Sequence, residues 1–419
     1  MAVPPKNSTH FLAAWHIPDI RFFLGCSGFA SLAGRALIAL IGFQIYQLTH
    51  SAAAIGLLGL IEAIPALTLV LFGGYTADHF NRQKILLLTL AFSTACAIAL
   101  AILSAQSGPA VLIGLYSVVF LVGIARAFAD PAATAFEAQV VSQELTVNAA
   151  SWISSTWITC AALGPIIITF IFADWGAPAA YAGIAVFFAL SWGCAACITP
   201  KPTPVPQQKE PLFKSISAGW RYVWNHPVLL PALSLDLFAV LFGGMLALLP
   251  IYAESILHIG AKGFGLLNAA PWLGTLAITL ATTHKTPIGR AGRNLLIAVA
   301  GFGISVLVFA VSRNFAVSLA ALFASGAFDG ISVVIRRSML RLLSPEEMRG
   351  RIAAANWVFI TASNELGAFE SGMVAAWIGV VPCVVAGGLM TLGVVAFNTV
   401  FSPKLRRLRF NTTTLESSF

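Results

Sequence analysis

Charge is scarce in this chain: of 419 residues only 10% are Asp, Glu, Lys or Arg, where a soluble domain carries about 25%, and 58% are apolar. A water-soluble globule is thereby excluded. Cysteine numbers six, and Cys26, Cys96, Cys160, Cys194, Cys197 and Cys383 all lie in apolar stretches, which excludes a disulfide framework and leaves them as small hydrophobes. Cys194 and Cys197 form a CxxC, yet no histidine lies near them in sequence to complete a metal set. The histidines (His10, His16, His50, His79, His226, His258, His284) are scattered, and a Walker loop, HExxH and GxSxG are all missing. No catalytic group, metal or cofactor is therefore expected, and an enzyme is not.

What is abundant is apolar sequence in long runs. Runs of roughly 20 apolar residues match a hydrocarbon layer about 30 Å thick, and only helices satisfy their own backbone bonds within one segment there. Polar breaks divide the chain into spans over 21–47, 52–77, 84–104, 110–138, 147–172, 178–199, 227–253, 262–284, 294–312, 315–338, 352–377 and 380–402. The expected fold class is an all-α membrane protein with twelve transmembrane helices in two six-helix pseudo-symmetric bundles. Five parts follow: a cytoplasmic segment 1–20, a first bundle 21–199, a linker 200–226, a second bundle 227–402 and a basic tail 403–419. The linker opens with "TPKPTPVPQQKEP", too stiff and polar to cross. In it Phe213, Ile216, Trp220 and Trp224 share one helical face, with Lys214 and Arg221 to the side, which predicts a helix on the membrane surface.

Basic residues set the orientation. With both termini cytoplasmic, twenty of the 24 Lys and Arg, Arg336 and Arg337 among them, fall inside; Lys262 and Arg313 fall outside, and Arg35 and Arg126 lie within spans. The same bias accounts for the net charge of +8 without nucleic acid, since tails such as "KLRRLRF" read as membrane-surface anchors. The halves echo each other: "GLL" at Gly56 recurs at Gly265, and "SQELTVNAASW" ending at Trp152 resembles "SPEEMRGRIAAANW" ending at Trp357. Parallel repeats of this kind belong to transporters.

The turn "GGYTADHFNRQK" between the second and third spans resembles the signature loop of the major facilitator superfamily through Gly74, Asp78, Arg82 and Lys84. Asn81 stands where that family has glycine, and asparagine tolerates a left-handed turn; His79 and Gln83 replace usual basic residues. The resemblance implies the major facilitator fold and a conformational latch formed by Gly74, Asp78, Arg82 and Lys84; the plainer reading is that positive charge only holds the loop inside. "ALGPIII" partly resembles an antiporter motif. "HIPDIRFFLG", "SPEEMRGRI" and "FKSISAGWRYVWNHPVL" resemble the branch of siderophore exporters and macrolide efflux pumps.

Eight charges lie inside spans and away from their ends: Arg35, Glu62, Arg126, Asp130, Asp236, Asp329, Glu365 and Glu370. Intramembrane charge is costly, about 2.5–3.5 kcal/mol on insertion scales, and marks a transport path or a pair. Arg126, Asp130 and Glu137 fall on one stripe of the fourth span, as an ion pair or as a proton carrier tuned by Arg126. The repeat sets Asp329 opposite Arg126, which points to Asp329 as a titrating group. Proton-coupling candidates are Asp130, Asp329, Glu62 and Glu365, the last sharing a face with Thr361. Substrate-binding candidates are Arg35, Arg126, Trp157, Trp272 and Asp236, Arg35 having the alternative of a pair with Glu62, and Phe238 adding apolar wall. The expected function is proton-motive-force-driven efflux of a small amphipathic molecule, siderophore or drug-like, by alternating access. Rivals are an importer or lysolipid transporter on the same fold, or a non-transporting scaffold or membrane-embedded enzyme. Its partners are a small-molecule substrate, protons and the lipid bilayer, with no nucleic acid; the protein is expected as a monomer in the cell inner membrane, both termini cytoplasmic.

Overall fold

The computed structural model describes residues 13–106, 108–203, 212–282, 289–345 and 348–410. Segment 1–12, the proline-rich 204–211, the loop 283–288 with His284 and Lys285, and 411–419 lie outside the described residues, as do the side chains of Phe213, Ile216, Trp357 and Thr361.

Helices make up the fold: α1 Pro18–Thr49, α2 Ala52–His79, α3 Arg82–Leu103, α4 Pro109–Val140, α5 Thr146–Ala196, α6 Leu212–Asn225, α7 Leu229–Phe242 and α8 Met245–Ile251 come first. A π-helical turn, Tyr252–Ile256, then leads to α9 Gly260–Thr282, α10 Ala291–Val311, α11 Phe315–Leu343, α12 Arg349–Ile378, α13 Val380–Phe401 and the single turn α14 Pro403–Arg406. Among the described residues ten helices are long and apolar enough to cross a membrane. The stretch Asn148–Ala196 has 49 residues, roughly 74 Å of helix and more than two hydrocarbon thicknesses. It turns at Gly176, whose φ of 80° suits glycine, with Pro178 just beyond. Twelve spans require its two arms to be counted separately and the 30-residue α12 to be added to the ten.

Start signals are local. Pro109 opens α4. Asn314 caps α11 by accepting from the amides of Ala316 and Val317. Where the chain turns at Gly176, Trp175 is 72% exposed, and beside Gly379 Trp377 is 83% exposed. Such surface rings fit the aromatic belts at a membrane boundary.

Compactness groups Met1–Ile41 with Ile64–Gln207 as a first unit, and Gly42–Ala63 with Gln208–Phe419 as a second. In the first, α4 carries Pro131, which cannot donate to the carbonyl of Ala127 one turn back. Gly73 of α2 lies on that carbonyl: a Cβ there would stand 1.9 Å from the Ala127 oxygen. In the second unit α9 and α11 meet the same way, a Cβ on Gly326 standing 1.9 Å from the Pro271 oxygen, while Thr275 Oγ1 donates to the Gly326 carbonyl at 2.9 Å. Small residues allow close backbone approach, and dispersion takes over where lipid gives no hydrophobic drive. The pairings α3 with α4 and α5 reappear as α10 with α11 and α13, so the repeat read from sequence is repeated in packing.

The 42–63 segment joins the second unit by specific contacts. Phe43 stacks on Phe264 at 5.0 Å, Tyr46 and Ser255 hydroxyls lie 2.6 Å apart, and Gln47 Nε2 donates to Glu254 Oε1 at 3.0 Å. Both polar partners sit on the π-helical turn, a departure from regular helix found frequently at functional sites.

The end of the linker is helical, as α6, in which Val223 is buried and Trp224 is 60% exposed. In the tail, Leu405 is fully buried in a core cluster with Leu229 and Leu295.

Candidate functional site

The signature turn is knitted to the first unit by carbonyls. Arg82 donates through Nε to the Ala77 carbonyl and through Nη1 to that of Ala135, each at 3.0 Å. It thereby bonds a carbonyl in the last turn of α2 and one near the end of α4, whose dipoles favour a cation. Asn81 is not left-handed as expected: its φ is −65°, and it caps α3 by accepting from the Lys84 amide. The helix start needs an acceptor, and asparagine supplies it, so the substitution for glycine is one of capping. Gln83, read as a departure from a basic residue, is buried and donates to the carbonyls of Ala195 and Ile198 at 3.0 and 2.8 Å. A neutral amide fits that buried position better than a cation. His79 stacks on Tyr75 with ring centroids 4.0 Å apart. Gly74 and Asp78 are partly exposed, and Lys84 is exposed.

Two substrate-binding candidates meet in the first unit. The Arg35 guanidinium carbon lies 5.4 Å from the centre of the Trp157 ring, within cation–π range. Ser31 Oγ donates to the Trp157 carbonyl at 3.2 Å, which locks α1 to α5 under the pair. A guanidinium over an indole, with the indole 38% exposed, presents a flat cationic surface suited to an aromatic or oxyanion-bearing solute. Arg126 and Asp130 are exposed on α4, and Glu137 is half-buried further along.

The second unit holds an ionic cluster between α7 and α11. Asp236, 8% exposed, forms an ion pair through Oδ2 with Arg336 Nη1. Arg336 Nη2 lies 3.9 Å from Asp329 Oδ1, and its Nε donates to Ser332 Oγ at 3.2 Å. One cation thus serves two carboxylates. The Asp329 side chain is 42% exposed, that of Asp236 11%, so Asp329 is the more open of the two. A small void of about 10 Å³, lined by Asp236, Phe302, Phe328, Asp329 and Ser332 among others, is at the lower limit for one water. The void is far too small for an organic solute.

This revises two expectations. Asp236, expected to touch substrate, is engaged by Arg336 because an unpaired carboxylate at that depth is far too costly. Arg336, counted with the cytoplasmic loops, is 6% exposed. The signal that could have found it was spacing: Asp329, Ser332 and Arg336 lie at i, i+3 and i+7, one face of a helix.

Glu62, on α2 within 42–63, is 7% exposed. One turn before it, Gly59 lies against α12, where a Cβ would stand 3.0 Å from the Glu365 carbonyl oxygen. Trp272 is half-buried on α9.

A family model described as Major Facilitator Superfamily matches residues 23–368. The chain is 24% identical over 384 residues to the Enterobactin exporter EntS of Shigella flexneri, covering 91% of each. It is 24% identical over 388 residues to the Enterobactin exporter EntS of Citrobacter koseri, again covering 91% of each. Among solved structures it is similar to a POT family transporter in complex with 5-aminolevulinic acid, with a TM-score of 0.74 at 13% identity over 92% of this chain and 96% of that one. A bacterial homolog of the human lysosomal transporter Spinster, in an inward-facing and unoccupied conformation, gives a TM-score of 0.72 at 14% identity, covering 94% and 99%. These structural likenesses establish the fold.

Proposed function

The chain belongs to the major facilitator superfamily, and we propose that it exports a small amphipathic molecule, a siderophore or drug-like compound, from the cytoplasm in exchange for protons. The observation that carries the coupling is the sharing of Arg336 by Asp236 and Asp329. A cation shared by two acids pairs closely with only one of them, here Asp236, and leaves Asp329 able to take a proton. The more exposed acid, Asp329, takes that proton and gives it up on the other side as the protein rocks between two states. Export and a siderophore-like substrate are supported by the relatives named enterobactin exporters.

Arg35 over Trp157 is the substrate platform, with Arg126 and Trp272 as further contacts; Asp130, Glu62 and Glu365 are secondary proton sites. Gly74, Asp78, Arg82 and Lys84 form the latch that holds one state. The protein works as a monomer in the cell inner membrane with both termini in the cytoplasm.

Transport into everted vesicles tests this, with enterobactin as the first probe followed by a panel of lipophilic drugs. Uptake should follow an imposed proton gradient and collapse with a protonophore. Accumulation only in right-side-out vesicles would make the protein an importer, and gradient-independent flux would remove the coupling.

A further inference from the structure

A second charged site lies at the opposite end of the chain from the signature turn. After α13 the chain turns at Ser402, forms α14 and runs back along the first turn of α10. Leu405 is buried among Leu229, Ala291, Leu295 and Leu296. The Gly292 amide donates to the Leu408 carbonyl at 3.3 Å, and a Cβ on Gly292 would stand 1.7 Å from the Leu405 oxygen. The tail backbone therefore rests directly on the helix start.

That fold-back sets Arg406, Arg407 and Arg409 around the same space as Arg290 and Arg293. With Leu408 these guanidiniums line a cavity of about 520 Å³, and among the described residues no carboxylate lines it. Arg290 occupies the N-cap of α10 without a capping side-chain bond, so the positive end of a 21-residue helix adds to the field. Like charges gathered this closely repel, and only an anion among them reverses the sign of that energy. Arginine's planar fork fits phosphate oxygens bidentately, and five forks around one space suit a group with several such oxygens.

The surroundings point to where that phosphate is carried. Phe397, Val400 and Phe401, on the last turns of α13 just before the tail, are 60%, 69% and 69% exposed. An apolar surface beside a basic cavity matches acyl chains below a headgroup. We propose that Arg290, Arg293, Arg406, Arg407 and Arg409 bind the phosphodiester headgroup of an anionic phospholipid, which clamps the tail onto the second unit. The site is independent of the transported substrate and of transport direction.

The full chain, purified in a neutral detergent, is titrated with phosphatidylglycerol, with phosphatidylcholine and with inorganic phosphate, and binding is read by native mass spectrometry alongside the thermal unfolding midpoint. Phosphatidylglycerol should bind and raise the midpoint while phosphatidylcholine does neither. Both R406Q/R407Q and R290Q/R293Q should bind phosphatidylglycerol about tenfold more weakly or worse, and R313Q, the same kind of charge loss elsewhere, should bind as wild type does. Because the two pairs sit on different segments, the start of α10 and the tail, one remains informative if the other does not fold. Equal binding by wild type and the folded pair, or an equal response to phosphatidylcholine, overturns the site. A full response to inorganic phosphate alone overturns the lipid as its source.

Discussion

Arg336 of α11 and Asp236 of α7 form a buried ion pair, with side chains 6% and 11% exposed, and Asp329 leans on the same guanidinium from the more open side. One cation divided between a closed and an open carboxylate makes the two acids unequal. The closed one holds the cation in place, and the more open one is held by it less closely.

Removing the cation should therefore be a structural lesion. R336Q leaves Asp236 buried without a partner, and breaking such a pair costs about 3–5 kcal/mol. The unfolding midpoint of the solubilised protein should fall strongly, and the double change D236N/R336Q should recover most of the loss. Equal midpoints for R336Q and wild type would remove the pair from the stability argument.

D329N should spare the fold and remove the coupling. The substitution keeps size and polarity at a side chain that is 42% exposed, so the unfolding midpoint should stay close to wild type. Substrate exchange without a gradient should persist, while uphill transport driven by a proton gradient in everted vesicles should vanish. Undiminished gradient-driven accumulation would move the proton to another acid.

The Arg35–Trp157 contact predicts a graded loss of substrate binding. R35K keeps the charge and gives up the planar face, and W157A removes the ring; cation–π contacts are worth about 0.5–2 kcal/mol. Tryptophan fluorescence titrations should show weaker binding in both variants and the greater weakening in W157A. Identical curves for the two variants and wild type would place the substrate elsewhere.

G326A should strain the second unit, because its methyl would stand 1.9 Å from the Pro271 carbonyl oxygen, a backbone atom that cannot swing aside. Overpacking of this kind costs about 1–3 kcal/mol. The corresponding change in the first unit, G73A, meets the Ala127 oxygen at the same distance and should cost a similar amount. Both are read from folded yield and unfolding midpoint, against G74A, which has open space at its Cβ.

His226 ties stability to pH outside the spans. Its Nδ1 accepts from the amides of Val228 and Leu229 at 3.2 and 3.1 Å, which requires that nitrogen to be unprotonated. Burial holds its pKa below the ordinary histidine value. A depressed folded-state pKa means the contribution is complete above the unfolded value, about 6.5, and is lost as pH falls through the folded one. Unfolding midpoints between about pH 5 and 8 should fall toward acid, and H226Q should flatten that slope. A slope equal in both proteins would assign it to other groups.

The span pattern was legible because its signals are local. Apolar length, the prolines and glycines at the turns, and the clustering of Lys and Arg each act within one or two helical turns, so the helices from α1 to α13, the linker helix α6 aside, stand close to where the apolar runs place them. The charges within spans were legible for a related reason: their cost makes each conspicuous, and Arg35 and Asp329 were marked without knowledge of their neighbours. Arg336 was hidden because a long arginine near a helix end ordinarily snorkels to the surface. Asn81 was misread because propensity admits several backbone states, and the neighbouring amides choose among them.

From sequence alone came the membrane, the helices, the repeat and the superfamily resemblance, since these rest on hydropathy, helical period and a contiguous turn. Only the tertiary structure decided that Arg35 lies over Trp157, that Arg336 is shared between Asp236 and Asp329, and that the basic tail folds back around Arg290 and Arg293. Residues so distant in the chain meet through helix packing, and a one-dimensional pattern carries no record of which faces will touch.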